Sequence, residues 1–315
     1  MKYKVFIDGK EGTTGLKIFE RFENRDDIEM LLIDEDKRKN LNERKKMINS
    51  SDFTFLCLPD AAAIEAVSLV ENHNVKIIDA STAHRTNPDW AYGLPELSKQ
   101  HREKIANSKR VAVPGCYASG FISIAYPLVQ SGIVAAHQPI VCHAVSGYSG
   151  AGKRFIEQYE SENKPQELFS PRLYALSQNH KHLNEMMKIS GLSYKPMFNP
   201  IVDDYFNGMI VSVPLITRAL YKRTSAQHIW EIMSNHYKDQ YFVRTMPFMG
   251  EGVLENGYMA ANALAGENYM QIFVCGNDEQ VLISARLDNL GKGASGAAIQ
   301  CMNIMMGIDE RTGLE

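Results

Sequence analysis

The chain has 315 residues, 44% hydrophobic and 23% charged, with 34 Lys and Arg against 37 Asp and Glu for a formal charge of −3. The length allows two domains and the composition is that of an ordinary globular protein. The charge balance argues against nucleic acid as the main partner, and no apolar run reaches the roughly 20 residues that span a bilayer.

The five cysteines, Cys57, Cys116, Cys142, Cys275 and Cys301, are scattered, with neither zinc-site nor C-x-x-C spacing. Few scattered thiols fit a reducing cytoplasm. Residues 1–5 run straight into an apolar strand without the layout of a secretory leader. A cytoplasmic protein with no membrane partner is expected.

Residues 3–7 predict a short strand. Gly9, Gly12 and Gly15 follow at three-residue spacing, with Thr13 and Thr14 between the last two, and Leu16, Ile18, Phe19 and Phe22 continue at helical spacing. Strand, glycine turn and helix together cradle a pyrophosphate, because the backbone must turn tightly and the helix N-terminus must face the anion. The pattern is G-x-x-G-x-x-G rather than the commoner G-x-G-x-x-G, so a plain βα turn is the alternative. A second strand, 28–33, ends in Asp34-Glu35-Asp36, which suits the ribose of NAD. Lys37-Arg38-Lys39 follows at once and suits the 2′-phosphate of NADP. Those two signals conflict.

The apolar run 53–58 predicts a strand buried on both faces. A helix over 61–71 with Ile64, Val67 and Val70 on one face comes next, then strands at 75–79 and 109–113. Alternating strands and helices predict a Rossmann-type, doubly wound parallel sheet, which binds ligands at the carboxyl ends of its strands. Residues 9–15, Leu58-Pro59, Ala80-Ser81 and Cys116 all fall at those ends, so Cys116 is expected in the same crevice as the dinucleotide.

Cys116 follows the apolar run 111–113 and Pro114-Gly115, and Phe121, Ile124, Ala125 and Leu128 after it fall at helical spacing. A cysteine in the first turn of a helix is favoured as thiolate, the form that attacks a carbonyl carbon. The alternative is a buried cysteine acting as a small hydrophobe.

After about residue 132 strands lengthen and alternate. Residues 138–145 predict a strand entering the loop 146–154, whose hydroxyls, free N–H groups and two cations suit an anion; Ser149 and Lys153 lie in it. His180, His182 and Glu185 fall within six residues, before a helix starting near Leu183 or Asn184, with Asn184 as the N-cap. A histidine there can take a thiol proton and return it to a reacting oxygen. No third ligand accompanies the two histidines, so no metal site is expected. Strands at 196–202, 209–215, 243–246, 269–275 and 280–288, with a helix at 225–237, predict an α+β domain on a mixed or antiparallel sheet that self-associates. Asn289 and Gly293 then open a small-residue segment leading to a C-terminal helix, expected to return to the first domain beside the cofactor.

Gly9-x-x-Gly12-x-x-Gly15, Pro114-Gly115-Cys116-Tyr117-Ala118, the loop 146–153, His180-Lys181-His182-x-x-Glu185 and Asn289-x-x-x-Gly293 occur in that order. Together, over nearly the whole chain, they resemble the shorter form of N-acetyl-γ-glutamyl-phosphate reductase. The Pro-Gly-Cys-Tyr-Ala stretch is the most specific piece, since the related aspartate-semialdehyde dehydrogenases usually show an Asn-Cys context. One departure is Leu183-Asn184-Glu185, where family members often carry Thr-Pro-Glu.

The resemblance implies NADPH-dependent reduction of N-acetyl-L-glutamyl 5-phosphate, an acyl phosphate, to the semialdehyde in arginine biosynthesis, through a thioester on Cys116. It implies His180 as the acid and base, with His182 the alternative, and Glu185 orienting the imidazole or binding substrate. Gly9, Gly12, Thr13, Thr14, Gly15, Ser81, Asn289 and Gly293 would hold the cofactor, with Arg38 at the 2′-phosphate. Arg85, Ser149 and Lys153 would hold substrate. The implied domains are 1–117 for NADP, 118–287 for catalysis and oligomerisation, and 288–315 for the returning helix. A homodimer or homotetramer is implied. The alternative reading is an aspartate-semialdehyde dehydrogenase-like reductase of another acyl phosphate.

Overall fold

A computed structural model describes residues 2–254 and 256–315 and divides the chain into two units. One runs to Pro114 and includes Ala294–Glu315; the other is Gly115–Gly293. The first unit is built on a six-stranded sheet of β1 (Tyr3–Asp8), β2 (Ile28–Leu31), β3 (Phe53–Leu56), β4 (Lys76–Asp79), β5 (Ala91–Tyr92) and β6 (Arg110–Ala112), in the order β2-β1-β3-β4-β6-β5. Every pairing in it is parallel. Its helices are α1 (Thr13–Phe22), α2 (Leu41–Ser50), α3 (Asp60–Ser68) and α4 (Lys99–Asn107), joined by the C-terminal helix Gly296–Met306.

Burial follows from this layering. All four residues of β3 are buried, as a parallel strand covered on both faces requires. The helix after it differs from expectation. Its buried residues are Ala63 and Ala66, while Ile64 is exposed. Val67 and Val70 pack only partly against a core containing Phe6, Leu56, Ile77 and Trp90. Small side chains let α3 lie close to the sheet, a demand that the spacing of large apolar residues does not reveal.

The strand ends are in register: Asp8 lies opposite Leu56, Leu56 opposite Asp79, and Asp79 opposite Ala112. The turns after β1, β3, β4 and β6 therefore leave from one edge. The strand order reverses between β1 and β3, and parallel sheets bind ligands at such a point.

The second unit holds a seven-stranded mixed sheet. Its strands are β7 (Val141–Gly147), β8 (Arg172–Leu173), β9 (Met197–Asp203), β10 (Met209–Ile216), β11 (Val243–Thr245), β12 (Met270–Gly276) and β13 (Gln280–Leu287), in the order β11-β12-β13-β10-β7-β9-β8. β7/β9 and β11/β12 pair in parallel and the other neighbours antiparallel. Its helices are α5 (Cys116–Gln130), α6 (Lys153–Tyr159), α7 (Leu183–Ser190) and α8 (Ala226–Tyr237). α5 packs on β10 and β13, and α7 and α8 flank it. At Gly120 a Cβ would stand 2.8 Å from the Val211 side chain, so glycine brings α5 against the sheet. Strand alternation turns Val211 and Val213 toward α5 and leaves Pro214 and Ile216 exposed on the other face. The α7 N-cap is His182; Asn184, expected to cap it, is the second residue of the helix and exposed.

Candidate functional site

The turn after β1 needs glycine for reasons of space. Gly9 has φ +88°, and a Cβ there would lie 2.4 Å from the Cys57 carbonyl oxygen. A Cβ at Gly15 would lie 2.5 Å from the Gly9 carbonyl oxygen. Gly12 is the N-cap of α1 and offers no side-chain cap, so the first N–H groups of α1, from Thr13 and Thr14 onward, face outward uncapped. A cleft of about 700 Å³ opens over this turn, lined by Asp8 to Gly12, Met30 to Ile33, Arg38, Lys39, Arg44, Leu58 and Glu65. The volume suits a cofactor. A backbone cradle, an uncapped helix N-terminus and two exposed cations form a donor set that fits a phosphorylated dinucleotide.

Two salt bridges form among the charges at the end of β2. Asp34 is paired with Lys37 at 2.6 Å, and this bond holds its carboxyl below the usual range. Arg38 lines the cleft and lies 3.8 Å from Glu35. Sequence reasoning missed Arg44. It is buried, with Nε and Nη2 donating to Asp8 Oδ2 at 3.0 and 2.9 Å and Nη1 donating to Glu65 at 2.8 Å. An arginine in a charged helix carries no sequence mark that would foretell this.

At the end of β4 the Ser81 hydroxyl and His84 Nδ1 share Asp79 Oδ2, each at 2.7 Å, and His84 stacks on Trp90 at 4.1 Å between centroids. Arg85, expected at substrate, is buried and donates to the carbonyl oxygens of Val113 (2.8 Å) and Ala80 (3.0 Å). It fixes the backbone leading to Pro114.

Cys116 is the first residue of α5, half-exposed, after the N-cap Gly115. The Gly115 N–H donates to Glu185 Oε2 at 3.2 Å, and Glu185 is 1% exposed. Glu185 thus grips the turn that carries the thiol. A Cβ at Gly293 would stand 2.8 Å from Cys116 Cβ, so glycine there leaves room for the Cys116 side chain.

Aromatic rings and hydroxyls surround this turn. Tyr174 donates to the Tyr117 hydroxyl at 2.9 Å, and the Ser146 hydroxyl also reaches the Tyr117 phenol. Burial above all, and then the nearby Tyr174 hydroxyl and Cys116 charge, push the Tyr117 phenol well above its ordinary value. Tyr174 is pushed up by burial and by Cys116, against the lowering effect of its bond to Tyr117. Both phenols keep their protons at neutral pH. His180 packs edge-on against Tyr117, Tyr174 and Phe198, with centroids 6.0, 6.0 and 5.1 Å away. Its Nδ1 accepts the His182 N–H at 3.2 Å, which leaves the proton of a neutral ring on Nε2. His180 is half-buried, whereas His182 is 4% exposed.

The structure groups Cys116, His180, Glu185 and Gly293 within the second unit, and Gly9, Gly12, Thr13, Thr14, Gly15 and Arg38 around the cleft of the first. Asn289, expected at the cofactor, bonds within the second unit. Its amide oxygen accepts the Gly208 N–H at 2.8 Å and its amide nitrogen donates to Ser149 Oγ at 2.8 Å. Ser149 is fully buried, whereas Lys153, the first residue of α6, is exposed. Among the described residues no helix is long and apolar enough to cross a membrane, and no group of three metal-type ligands occurs.

Residues 4–107 match the semialdehyde dehydrogenase NAD-binding domain family, and residues 116–289 the semialdehyde dehydrogenase dimerisation domain family. The chain is 47% identical over 320 residues to N-acetyl-gamma-glutamyl-phosphate reductase 2 of Nostoc sp., covering 99% of each. It is 45% identical over 311 residues to N-acetyl-gamma-glutamyl-phosphate reductase of Brucella ovis, covering 98% of this chain and all of that one. Among solved structures, aspartate semialdehyde dehydrogenase II of Vibrio cholerae superposes with a TM-score of 0.72 at 14% identity, covering 98% of this chain and 99% of that one, a likeness of fold.

Proposed function

Because the chain belongs to the N-acetyl-gamma-glutamyl-phosphate reductases of the semialdehyde dehydrogenase family, we propose that it reduces N-acetyl-L-glutamyl 5-phosphate to N-acetyl-L-glutamate 5-semialdehyde and phosphate in arginine biosynthesis, with NADPH as reductant. The observation that carries this reading is Cys116 at the head of α5, in a turn gripped by Glu185 and roofed by Tyr117 and Tyr174.

In this reading the Cys116 thiolate attacks the acyl carbon, the carbon–oxygen bond to phosphate breaks, and phosphate leaves with the electron pair. A thioester remains on Cys116. The bound dinucleotide supplies the hydride that converts the thioester to aldehyde and returns the thiolate. His180 is the acid and base. Its Nε2–H is the form that donates to the oxygen on which charge develops, and taking the thiol proton at Nε2 requires the other tautomer. Exposure favours His180 over His182. Glu185 acts by fixing the Gly115 N–H. Of the expected substrate contacts, Lys153 is the exposed cation and is assigned the phosphate, Arg85 acts through the backbone carbonyls that it holds, and the buried Ser149 hydroxyl accepts from the Asn289 amide.

The preference for NADPH rests on Arg38 and Lys39 in the cleft, with Asp34 tied to Lys37. A second copy of the chain is the macromolecular partner, as a dimer or tetramer. The open face of the seven-stranded sheet, with Ile216 and Leu282 exposed, supports that assignment. Five free thiols fit the cytoplasm as the compartment.

The test is the reverse reaction with N-acetyl-L-glutamate 5-semialdehyde, phosphate and NADP, followed by absorbance of the reduced cofactor, with NAD and aspartate semialdehyde as comparisons. Phosphate-dependent signal with the acetylated substrate and NADP is expected. Turnover of aspartate semialdehyde alone would overturn the substrate assignment, and a preference for NAD would overturn the cofactor assignment.

A further inference from the structure

The cleft over the glycine turn contains an apparent contradiction. Its floor holds a carboxylate, Asp8, at the last position of β1, where the backbone runs into Gly9. A polyanion lying over that turn would meet a buried negative charge, which the surrounding protein screens less than water would. Glu65 on α3 faces the same cleft, as do Glu11 and Glu35.

Arg44 answers Asp8 and Glu65. It reaches from α2 and places two nitrogens on Asp8 Oδ2 and a third on Glu65. Its side chain is 7% exposed, and that of Asp8 6%. The pair is therefore built into the cleft rather than laid over it. We propose that Arg44 is a positioning residue for the dinucleotide: by neutralising Asp8 it lets the phosphates settle over the turn formed by Gly9, Gly12 and Gly15. This rests on the reading of the cleft as the NADPH site. Burial pushes the Asp8 carboxyl above its ordinary value, and the bonds from Arg44 pull it back down. Arg38 and Lys39 meet the cofactor from the other wall, and Arg44 differs from them in acting through Asp8.

A purely structural ion pair and a charge-balancing one make different predictions. Removing Asp8 leaves Arg44 in place and makes the cleft more positive. If Arg44 balances charge, Asp8→Asn binds NADPH about threefold or more tightly than wild type. Arg44→Met leaves both carboxylates without their cation and weakens binding about tenfold. The double variant Asp8→Asn/Arg44→Met restores most of that loss, because the charge that Arg44 offset has gone.

The measurement is NADPH fluorescence on titration into each full-length protein, with a thermal melt of each variant alone to confirm folding. Tightening in Asp8→Asn and recovery in the double variant support the proposal. An Asp8→Asn that binds no better than wild type, with a double variant as weak as Arg44→Met, overturns it and leaves a structural staple. A wild-type protein that binds neither NADPH nor NADH overturns the cofactor reading on which it rests, an outcome recognisable before any variant is made. Should Arg44→Met fail to fold, Asp8→Asn alone decides by the sign of its change.

Discussion

Two turns in this chain share one local design. Gly12 before α1 and Gly115 before α5 are both helix N-caps, at φ −76°, ψ 157° and φ −76°, ψ 148°, and neither makes a side-chain cap. Their surroundings differ. The first turn of α1 is half-exposed beside an open cleft lined by charged residues of both signs, whereas α5 is buried from Tyr117 to Ala125. At Gly115 a carboxylate, Glu185, takes the backbone N–H, and the first helical residue carries a thiol. On the proposed reading, the same backbone serves as an anion cradle where it is open, and as the seat of a nucleophile where a carboxylate grips it. Local geometry offers the helix dipole, and tertiary packing decides what is placed in it.

The largest expected effect falls on the enclosed turn. Cys116→Ala should lower turnover of the acetylated semialdehyde on the order of 10⁴-fold or more, the loss seen when a covalent nucleophile is removed. NADPH titration of the same variant should be unchanged. Activity retained within tenfold would break the assignment of the two turns to separate tasks.

A pair of glycine variants sharpens it. In Gly15→Ala the new Cβ meets the Gly9 carbonyl oxygen at 2.5 Å, in Gly293→Ala the Cys116 Cβ at 2.8 Å. Gly15→Ala should weaken NADPH on the order of a hundredfold while alkylation of Cys116 by iodoacetamide, read by peptide mapping, proceeds as in wild type. Gly293→Ala should do the reverse, with kcat down about a hundredfold from a displaced thiol and NADPH binding intact. If both variants lost cofactor binding, Gly293 would belong with the cofactor.

Glu185 should matter less. Glu185→Ala removes a charge-assisted acceptor from the Gly115 N–H, and kcat should fall about tenfold to a hundredfold. Glu185→Gln keeps an oxygen that can accept and should recover part of the loss. Equal defects in the two would assign the role to the negative charge.

The contrast between the turns also explains what the sequence disclosed. The glycines, the apolar strands and Cys116 were legible because tight turns, buried strands and helix starts each demand particular residue types at fixed spacing. The two parallel-sheet ends, and the mixed sheet after residue 132, followed from the same periodicity. What was hidden depends on contacts between distant residues. Arg44 meets Asp8 across 36 positions, and Tyr174 meets Tyr117 across 57. The bonds of the Asn289 amide to Gly208 and Ser149, across 81 and 140 positions, were equally hidden. Ile64 was placed inward by spacing, but the close approach of α3 to the sheet gave the buried face to alanines.

The smallest effect probes how dry the enclosed turn is. Tyr174 donates to Tyr117, and both phenols lie near the Cys116 charge. For an acid, a raised pKa means that the proton is held through a range where a free phenol gives it up, near about pH 10. Burial is the leading cause for both, so the pair stays neutral and hydrogen-bonded there. The wild-type rate should therefore show no alkaline loss from phenol ionisation between about pH 8 and pH 10. Tyr174→Phe should lower kcat about fivefold, the size of one neutral hydrogen bond, by the same factor at every pH in that range. An alkaline limb near pH 10 in the wild type that disappears in Tyr174→Phe would show that Tyr174 ionises as a solvated phenol does. Water would then reach the thiol, and the enclosed turn would resemble the open one more than its burial suggests.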